Sequence, residues 1–366
     1  MHIAIDARII NSTSGRYVER LVTYLQDIDH TNHYSILVRA KDEKFWKPRN
    51  DNFKVIVAEY DQFSFAEQIG FNSFLKKLKP DLVHFGIIQQ PVLYPGKKIT
   101  TVHDMTLVKT YNSDKNWFVY HAKQFVGKFV IRSLIQSNDH LIAISKFTKK
   151  ELIAFSPVPK EKVTVIYEAS DIASGSSRSI KLPFKKFLLY VGNESDYKNI
   201  KRLGDAHQRL LKRYPDLGLV LVGAKNSATL SNEVFFKKRN YKNILFTGFL
   251  PDDQLSWVYS HATAYVFPSL MEGFGLPALE AMGHGLPVVS SNATCLPEVY
   301  GDAAYYFDPR NVESMARAID DVLSSDKIRR DLSAKGYSQI KKYSWKKMAM
   351  QTHAIYMKVL KEKTKS

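Results

Sequence analysis

The chain has 366 residues, 45% of them hydrophobic and 24% charged, too many for one compact core and too apolar for a disordered polymer, so two domains are expected. Its 53 Lys and Arg against 36 Asp and Glu leave a formal charge of +17, which should draw the molecule towards something polyanionic: nucleic acid, anionic lipid or a phosphorylated substrate. One cysteine, Cys295, excludes an intrachain disulfide and a cysteine-based zinc site, and its ordinary role is that of a small buried hydrophobe.

The opening run MHIAIDARII is strand-like and lacks the basic start, apolar core and small-residue cleavage site of a signal peptide. No stretch approaches about eighteen consecutive apolar residues. A cytoplasmic chain that does not span a membrane is therefore expected. Short β-branched runs then alternate with helix-length segments, the pattern of βαβ units in a parallel sheet. Strands are predicted over 2–8, 34–40, 53–60, 81–86, 98–103, 140–145 and 163–169. Residues 115–137 hold Lys115, Lys123, Lys128 and Arg132 with no acid, interleaved with Trp117, Phe118, Tyr120, Phe125 and Phe129. That composition suits a basic amphipathic helix at an anionic membrane surface, or a packed helix with a solvated basic edge.

Residues 171–183 begin DIASGSSRSIK, small and polar with few apolar anchors, and read as an exposed linker between a domain over 1–170 and a second over 184–344. Second-series strands are predicted over 187–192, 218–223, 243–247, 263–268, 286–291 and 304–307, with helices after Lys198, Leu276, Asn311, Asp326 and Ser344. The last helix, within 345–366, follows a completed sheet and is expected to cross back to the first domain. There is no P-loop or GxGxxG, so kinase and nicotinamide-dehydrogenase readings lose their main support.

The most informative stretch is FPSLMEGFGLPALEAMGHGLPVV, residues 267–289, a strand followed by a glycine-bearing loop and a helix entered near Pro277. Backbone N–H groups of Phe274, Gly275 and Leu276 at such a helix start suit a diphosphate or sugar oxygens. Glu272 precedes the helix and Glu280 lies within it; carboxylates are good acceptors for vicinal sugar and ribose hydroxyls. Read alone, the two glutamates are an acidic loop residue and a helix-surface residue, and Lys198 is a solvated residue in the first turn of a helix.

The flanking residues point further. This block, with DARII and GRY near the start, TVHDMTL at 101–107, AISKFTKKEL, VIYEASD, YVGNESDYKN, FTGFLPDDQL, LPEVYGDAAYYFDP and the late YSWKKMA, resembles the family 4 glycosyltransferases along nearly the whole chain, most closely their mannosyltransferase-like branch. The resemblance implies an α/β chain of GT-B architecture, two Rossmann-like domains with parallel sheets facing each other across a cleft. It also implies a retaining hexosyltransferase that takes a nucleotide-diphosphate sugar as donor and a glycan or lipid-linked saccharide as acceptor.

Carried over by motif, Glu272 contacts the donor sugar, Glu280 holds the ribose hydroxyls and Lys198 stabilises the departing nucleotide diphosphate. Asn193 and Tyr197 stand where a second basic residue is usual, and Arg202 is the candidate substitute. His103 and Asp104 end the TVHD strand, where ligands bind in open α/β sheets, and the resemblance implies that His103 contacts the donor sugar. The loop facing the diphosphate from the first domain keeps Gly15 and Arg16 but lacks the usual extra glycine ahead of them. Asp252 and Asp253 follow Pro251 in a turn and are read as capping a helix or bordering the nucleobase, not as a metal motif; no metal or other cofactor is expected. Two alternatives remain from other classes: a non-catalytic sugar- or nucleotide-binding protein of the same architecture, and a nucleic-acid-binding protein suggested by charge alone, without a nucleic-acid-binding signature.

Overall fold

The computed structural model describes residues 1–12, 14–62, 64–106, 117–171 and 177–362, with only the backbone described over 117–125. The chain forms two compact units, Met1–Glu168 with Ser344–Ser366, and Ala169–Tyr343. By this division residues 171 and 177–183 fall in the second unit, and 172–176 lie outside the described residues.

The first unit is built on β1 (His2–Asp6), β2 (His33–Val38), β3 (Phe53–Val57), β4 (Leu82–Phe85), β5 (Lys98–Val102), β6 (His140–Ala143) and β7 (Val163–Val165). They form one sheet in the order β3-β2-β1-β4-β5-β6-β7, and every paired neighbour is parallel. Covered on both faces, such strands read as continuous apolar runs; all positions of β4 and β5 are buried. The second unit carries β8 (Phe187–Val191), β9 (Gly218–Val222), β10 (Ile244–Gly248), β11 (Ala264–Phe267), β12 (Val288–Ser291) and β13 (Ala304–Phe307), parallel in the order β10-β9-β8-β11-β12-β13. The two sheets are the two Rossmann-like domains expected. Most strands stop short of their predicted ends because those residues turn out of the ladder: Arg8 and His103 leave the sheets as polar loop residues.

In the first unit the helices include α1 (Gly15–Ile28), α2 (Asn72–Leu78), α3 (Trp117–Ser137) and α4 (Lys146–Phe155). The basic, aromatic segment does form a helix, α3. Its second half is anchored by Leu134 and Ile135, while Val126 and Phe129 are exposed beside exposed Lys128. Lys115 and the side chains of Trp117, Phe118, Tyr120, Lys123 and Phe125 lie outside the described residues. Among the described residues no helix is long and apolar enough to cross a membrane.

The second unit's helices include α5 (Ile200–Leu210), α6 (Ser227–Lys238), α7 (Asp252–His261), α8 (Leu276–Gly283), α9 (Leu296–Tyr300), α10 (Val312–Ser324) and α11 (Asp326–Ile340). α6 was not among the predicted helices, although Asn226 and Thr229 close a capping box at its start. Asp252 and Asp253 lie inside the first turn of α7, and Asp253 is paired with Arg178 (Nε to Oδ2, 2.8 Å).

The terminal helix α12 (Trp345–Lys361) belongs to the first unit and packs on α1. Ser344 caps it by accepting the Lys347 N–H. Its buried residues Trp345, Met348, Thr352, Ile355, Tyr356 and Val359 recur at helical spacing. Asp29, 3% exposed, is the pin: it accepts hydrogen bonds from the Tyr34 hydroxyl (2.6 Å), Asn32 Nδ2 (2.6 Å) and backbone N–H groups of Thr31 and Asn32, and pairs with His353 of α12 (2.9 Å).

Burial pushes the Asp29 carboxyl upward, but the hydrogen bonds from Tyr34, Asn32 and Thr31 outweigh it and hold the group well below the usual carboxylate range. The stabilisation is therefore present above the unfolded carboxyl pKa of about 4 and lost as pH falls below it. Asp29→Ala strands several donors and is expected to destabilise the first unit by about 3 kcal/mol at pH 7. In urea unfolding the deficit relative to wild type should shrink below pH 4; a deficit independent of pH would show that the ionised carboxylate is not the pin.

Candidate functional site

In an open parallel sheet, ligands bind beyond the carboxyl ends of strands where the order reverses. In the second sheet that point lies between β8 and β11. The loop leaving β8 carries GNESDYKN and the loop leaving β11 carries PSLMEGFG, so the fold brings Lys198 and Glu272 together from 74 positions apart. Lys198 Nζ lies 2.5 Å from Glu272 Oε1, and the two side chains are only 12% and 11% exposed.

Lys198 is not in a helical first turn. It closes a 3₁₀ turn, Asp196–Lys198, and Asn199 follows in the left-handed region (φ 65°) before α5 begins. Asn199 Nδ2 donates to the carbonyls of Pro268 (3.0 Å) and Pro309 (2.7 Å), which fastens the lysine loop to the glutamate loop. The Lys198 ammonium also lies 5.2 Å from the Tyr197 ring centre and 5.6 Å from that of Phe267.

The glutamate loop is held from behind. The Glu272 N–H donates to Thr294 Oγ1 (3.2 Å) and Cys295 Sγ donates to the Glu272 carbonyl (3.3 Å). Thr294 has φ 58°, a costly conformation for a β-branched residue and one that sequence does not announce. Cys295 is fully buried, as a small hydrophobe would be, and burial pushes its thiol well up. Gly275 caps α8 at φ 92°, and a Cβ there would strike the Tyr300 hydroxyl, which donates to the Gly275 carbonyl (2.7 Å). The Phe274 ring is buried edge-on against Tyr343 (5.4 Å). Leu276 starts α8, with Pro277 next to it in the first turn.

Glu280, on α8, accepts from the Tyr259 hydroxyl (3.1 Å), and Tyr259 stacks on His284 (5.1 Å). These rings orient the carboxylate predicted to take ribose; neither was singled out by sequence. Asn193 is exposed, its Oδ1 accepting from the Ser195 N–H (3.3 Å). Arg202 is exposed on α5 and donates to Asn199 Oδ1 (2.9 Å). Next to Asn193 lies buried Glu194, whose carboxyl burial pushes up to about 7 and which Asn232 of α6 contacts.

In the first unit the order reverses between β1 and β4. Gly15 opens α1 just beyond β1; a Cβ there would strike the carbonyls of Ile9 and Ile10, so glycine is required by packing alone. Arg16 is the next residue of α1. His103 leaves β5 with both ring nitrogens engaged: Nδ1 lies 2.9 Å from Glu168 Oε1 and Nε2 lies 2.9 Å from the Gly86 carbonyl at the end of β4. Asp104 is exposed and accepts the Thr106 N–H (2.7 Å). Glu168, in the VIYEASD block, had been assigned no role.

Two family descriptions match the chain: Glycosyltransferase Family 4 over residues 14–174 and Glycosyl transferases group 1 over residues 175–339. The O-antigen chain mannosyltransferase B of Escherichia coli is 32% identical over 280 residues, which cover 71% of this chain and 70% of that one. The chain is a family 4 glycosyltransferase. The Serotype-specific mannosyltransferase WbdA of the same organism is 28% identical over 69% of this chain, but the match spans only 32% of its own length. Among solved structures, the sucrose-phosphate synthase of Thermosynechococcus elongatus aligns over 98% of this chain and 99% of its own, with a TM-score of 0.78 at 19% identity. Anabaena Alr3699/HepE, solved in complex with UDP and glucose, aligns over 97% and 99%, with a TM-score of 0.73 at 15% identity. At such identities these likenesses establish the fold: the glycosyltransferase has the GT-B architecture.

Gly275→Ala is expected to cost about 1–2 kcal/mol for the left-handed backbone alone, plus the displacement of Tyr300. Measured against Tyr300→Phe alone, which already lacks the hydroxyl's bond to the Gly275 carbonyl, the double variant should recover the steric part and leave the backbone part. Urea melting of these variants measures this; full recovery in the double variant would mean that the φ of Gly275 carries no strain.

Proposed function

We propose that this glycosyltransferase moves a hexosyl group, mannosyl in the first instance, with retention from a nucleotide-diphosphate sugar to a glycan or lipid-linked saccharide in cell-envelope polysaccharide or glycolipid synthesis, without a metal. The observation that carries the reading is the Lys198–Glu272 pair at the switch point of the second sheet. Mannose is favoured by the likeness to the O-antigen chain mannosyltransferase B.

An ammonium has three donors and a carboxylate two acceptor oxygens. Lys198 can therefore keep one bond to Glu272 and turn another N–H to a donor phosphate, while Glu272 accepts from sugar hydroxyls. Glu280 takes the ribose hydroxyls, and the N–H groups at the start of α8 face phosphate or sugar oxygens. As the bond from the anomeric carbon to phosphate breaks, negative charge grows on the leaving oxygen, which Lys198 stabilises without a metal. The acceptor oxygen bonds the anomeric carbon on the same face, and its proton passes to the departing phosphate. No carboxylate nucleophile is required, unlike the retaining glycosidases with their two carboxylates about 5 Å apart.

A panel of GDP, UDP, ADP, GDP-mannose and UDP-sugars tests the donor by thermal shift, because a ligand bound only by the folded state raises its stability. One nucleotide family should raise Tm, and Glu280→Ala should abolish the shift. Lys198→Ala should lower kcat by roughly 10²–10³, and EDTA should leave wild-type transfer unchanged. No shift with any nucleotide would favour a non-catalytic protein; activity lost to EDTA and restored by manganese would overturn metal independence.

An acceptor at an anionic membrane surface is supported by the exposed Val126 and Phe129 beside Lys128 on α3, in a chain of net charge +17. In flotation, the chain should rise with anionic vesicles more than with neutral ones, and Phe129→Glu should reduce it. Equal absence from both kinds of vesicle removes the membrane part of the reading.

A further inference from the structure

We propose that Glu168 is a positioning residue which, together with the Gly86 carbonyl, holds His103 as an imidazolium in one fixed orientation, so that the first unit carries an oriented imidazolium–carboxylate pair at the carboxyl end of β5. The argument is one of donors and acceptors. A neutral imidazole has one N–H and one bare nitrogen, which needs a donor opposite it. Here Nδ1 faces a carboxylate oxygen and Nε2 faces a carbonyl oxygen, each at 2.9 Å. A carbonyl only accepts, so Nε2 carries a hydrogen; an ionised carboxylate only accepts, so Nδ1 carries one too. Glu168 is 5% exposed and His103 17%, which leaves little water to substitute for either bond.

The surroundings agree element by element. Burial works against the charge on His103, but the hydrogen bond and charge of Glu168, the Gly86 carbonyl and nearby Asp104 outweigh it, and its pKa is raised. From α1, Tyr17 presents its ring at right angles to His103 with centres 5.0 Å apart, and burial keeps its phenol protonated. From α4, Thr148 donates to the His103 carbonyl (3.3 Å). On β4, His84 is the contrast. Its nitrogens meet hydroxyls, Tyr356 at 2.6 Å and Thr101 at 2.9 Å, which either donate or accept. Burial first, and the charge of His103 second, press it down to about 3, so it stays neutral. Two histidines in one unit take opposite charge states because one faces acceptors and the other faces hydroxyls.

The consequence for catalysis rests on the proposed transfer reaction. With both N–H groups committed to the protein, the His103 ring is neither a general base nor a proton donor to the leaving group. It acts by charge, as a preorganised cation that responds to negative charge developing in the reaction. Glu168→Gln separates charge from position, because the glutamine amide can donate to a bare Nδ1 while Nε2–H stays on Gly86. The orientation survives and the proton does not.

The test is NMR of the histidine rings in the full chain, with His103 assigned by His103→Gln, alongside kcat/KM from pH 5.5 to 8.5. In the wild type, both ring nitrogens of His103 should stay protonated above pH 7.5 and activity should not titrate with the ring. In Glu168→Gln, with Tm near that of wild type, His103 should lose its proton at or below the ordinary value of about 6.5. Activity should then fall at least tenfold between pH 5.5 and pH 8, and Glu168→Asp should restore the wild-type profile. A wild-type ring that is neutral at pH 7, with the proton on Glu168 or absent, overturns the proposal without recourse to any variant. A His103 that titrates as expected with no change in the activity profile overturns the electrostatic role. The expected spectra with no transfer from any donor support the ion pair and overturn the proposed reaction.

Discussion

A half-buried ion at the end of a buried strand persists only when it is matched, and that constraint organises both units. Removing water from a charge costs several kcal/mol unless a counter-charge or hydrogen bonds replace it. At the carboxyl end of β1, Arg8 is bonded to Asp6 (2.7 Å), Glu67 (2.8 Å) and the Tyr60 carbonyl (2.9 Å), with its guanidinium 3.9 Å from the centre of the Phe71 ring. Beyond β5, His103 is matched by Glu168, and beyond β8 Lys198 is matched by Glu272. The Arg8 cluster is sealed, at 1–4% exposure, and serves the fold; the Lys198 pair is more open, at 11–12%.

The same constraint explains what the sequence disclosed and what it withheld. Parallel strands buried on both faces are continuous apolar runs, so GLVLV, AYVF and KITTV announce themselves. Residues just past them turn out of the ladder, and a propensity reading extends the strand into them: 98–103 was predicted where β5 ends at Val102, and His103 belongs to the loop. Lys198, Glu272 and Glu280 were found through motif order, since nothing in local composition says that two of them meet. Glu168 stayed hidden although it lies in a recognised block, because its meaning depends on His103, 65 positions earlier, and on a carbonyl at Gly86. Backbone carbonyls leave no mark in a sequence. Thr294 stayed hidden for a related reason: its left-handed φ is imposed by the loop it closes, against its own preference.

The loop after β11 shows how rigidity is distributed around the site. Glu272 is held through its own backbone by Thr294 and Cys295, and Gly275 is fixed by Tyr300. Its side chain is held by Lys198, whose loop is tied down through Asn199 to the carbonyls of Pro268 and Pro309. Cys295, Tyr300 and Asn199 are themselves buried, so the carboxylate is oriented before any ligand arrives. That preorganisation is what electrostatic stabilisation requires, because dipoles and charges already in place need no reorganisation as the transition state forms.

The surplus of basic residues fits this division of labour. Many acids of the chain are consumed locally, Asp6 and Glu67 by Arg8, Glu168 by His103, Glu272 by Lys198 and Asp29 by a set of hydrogen bonds. Pairing leaves the excess of 53 basic over 36 acidic residues to be carried largely by exposed side chains such as Lys76, Lys77 and Lys128. Exposed charges of one sign contribute little to folding, but they raise the local concentration of anions and speed their encounter, an effect that salt screens over about 8–10 Å. Interior pairs hold local geometry, and the surplus of exposed positive charge sets the long-range field.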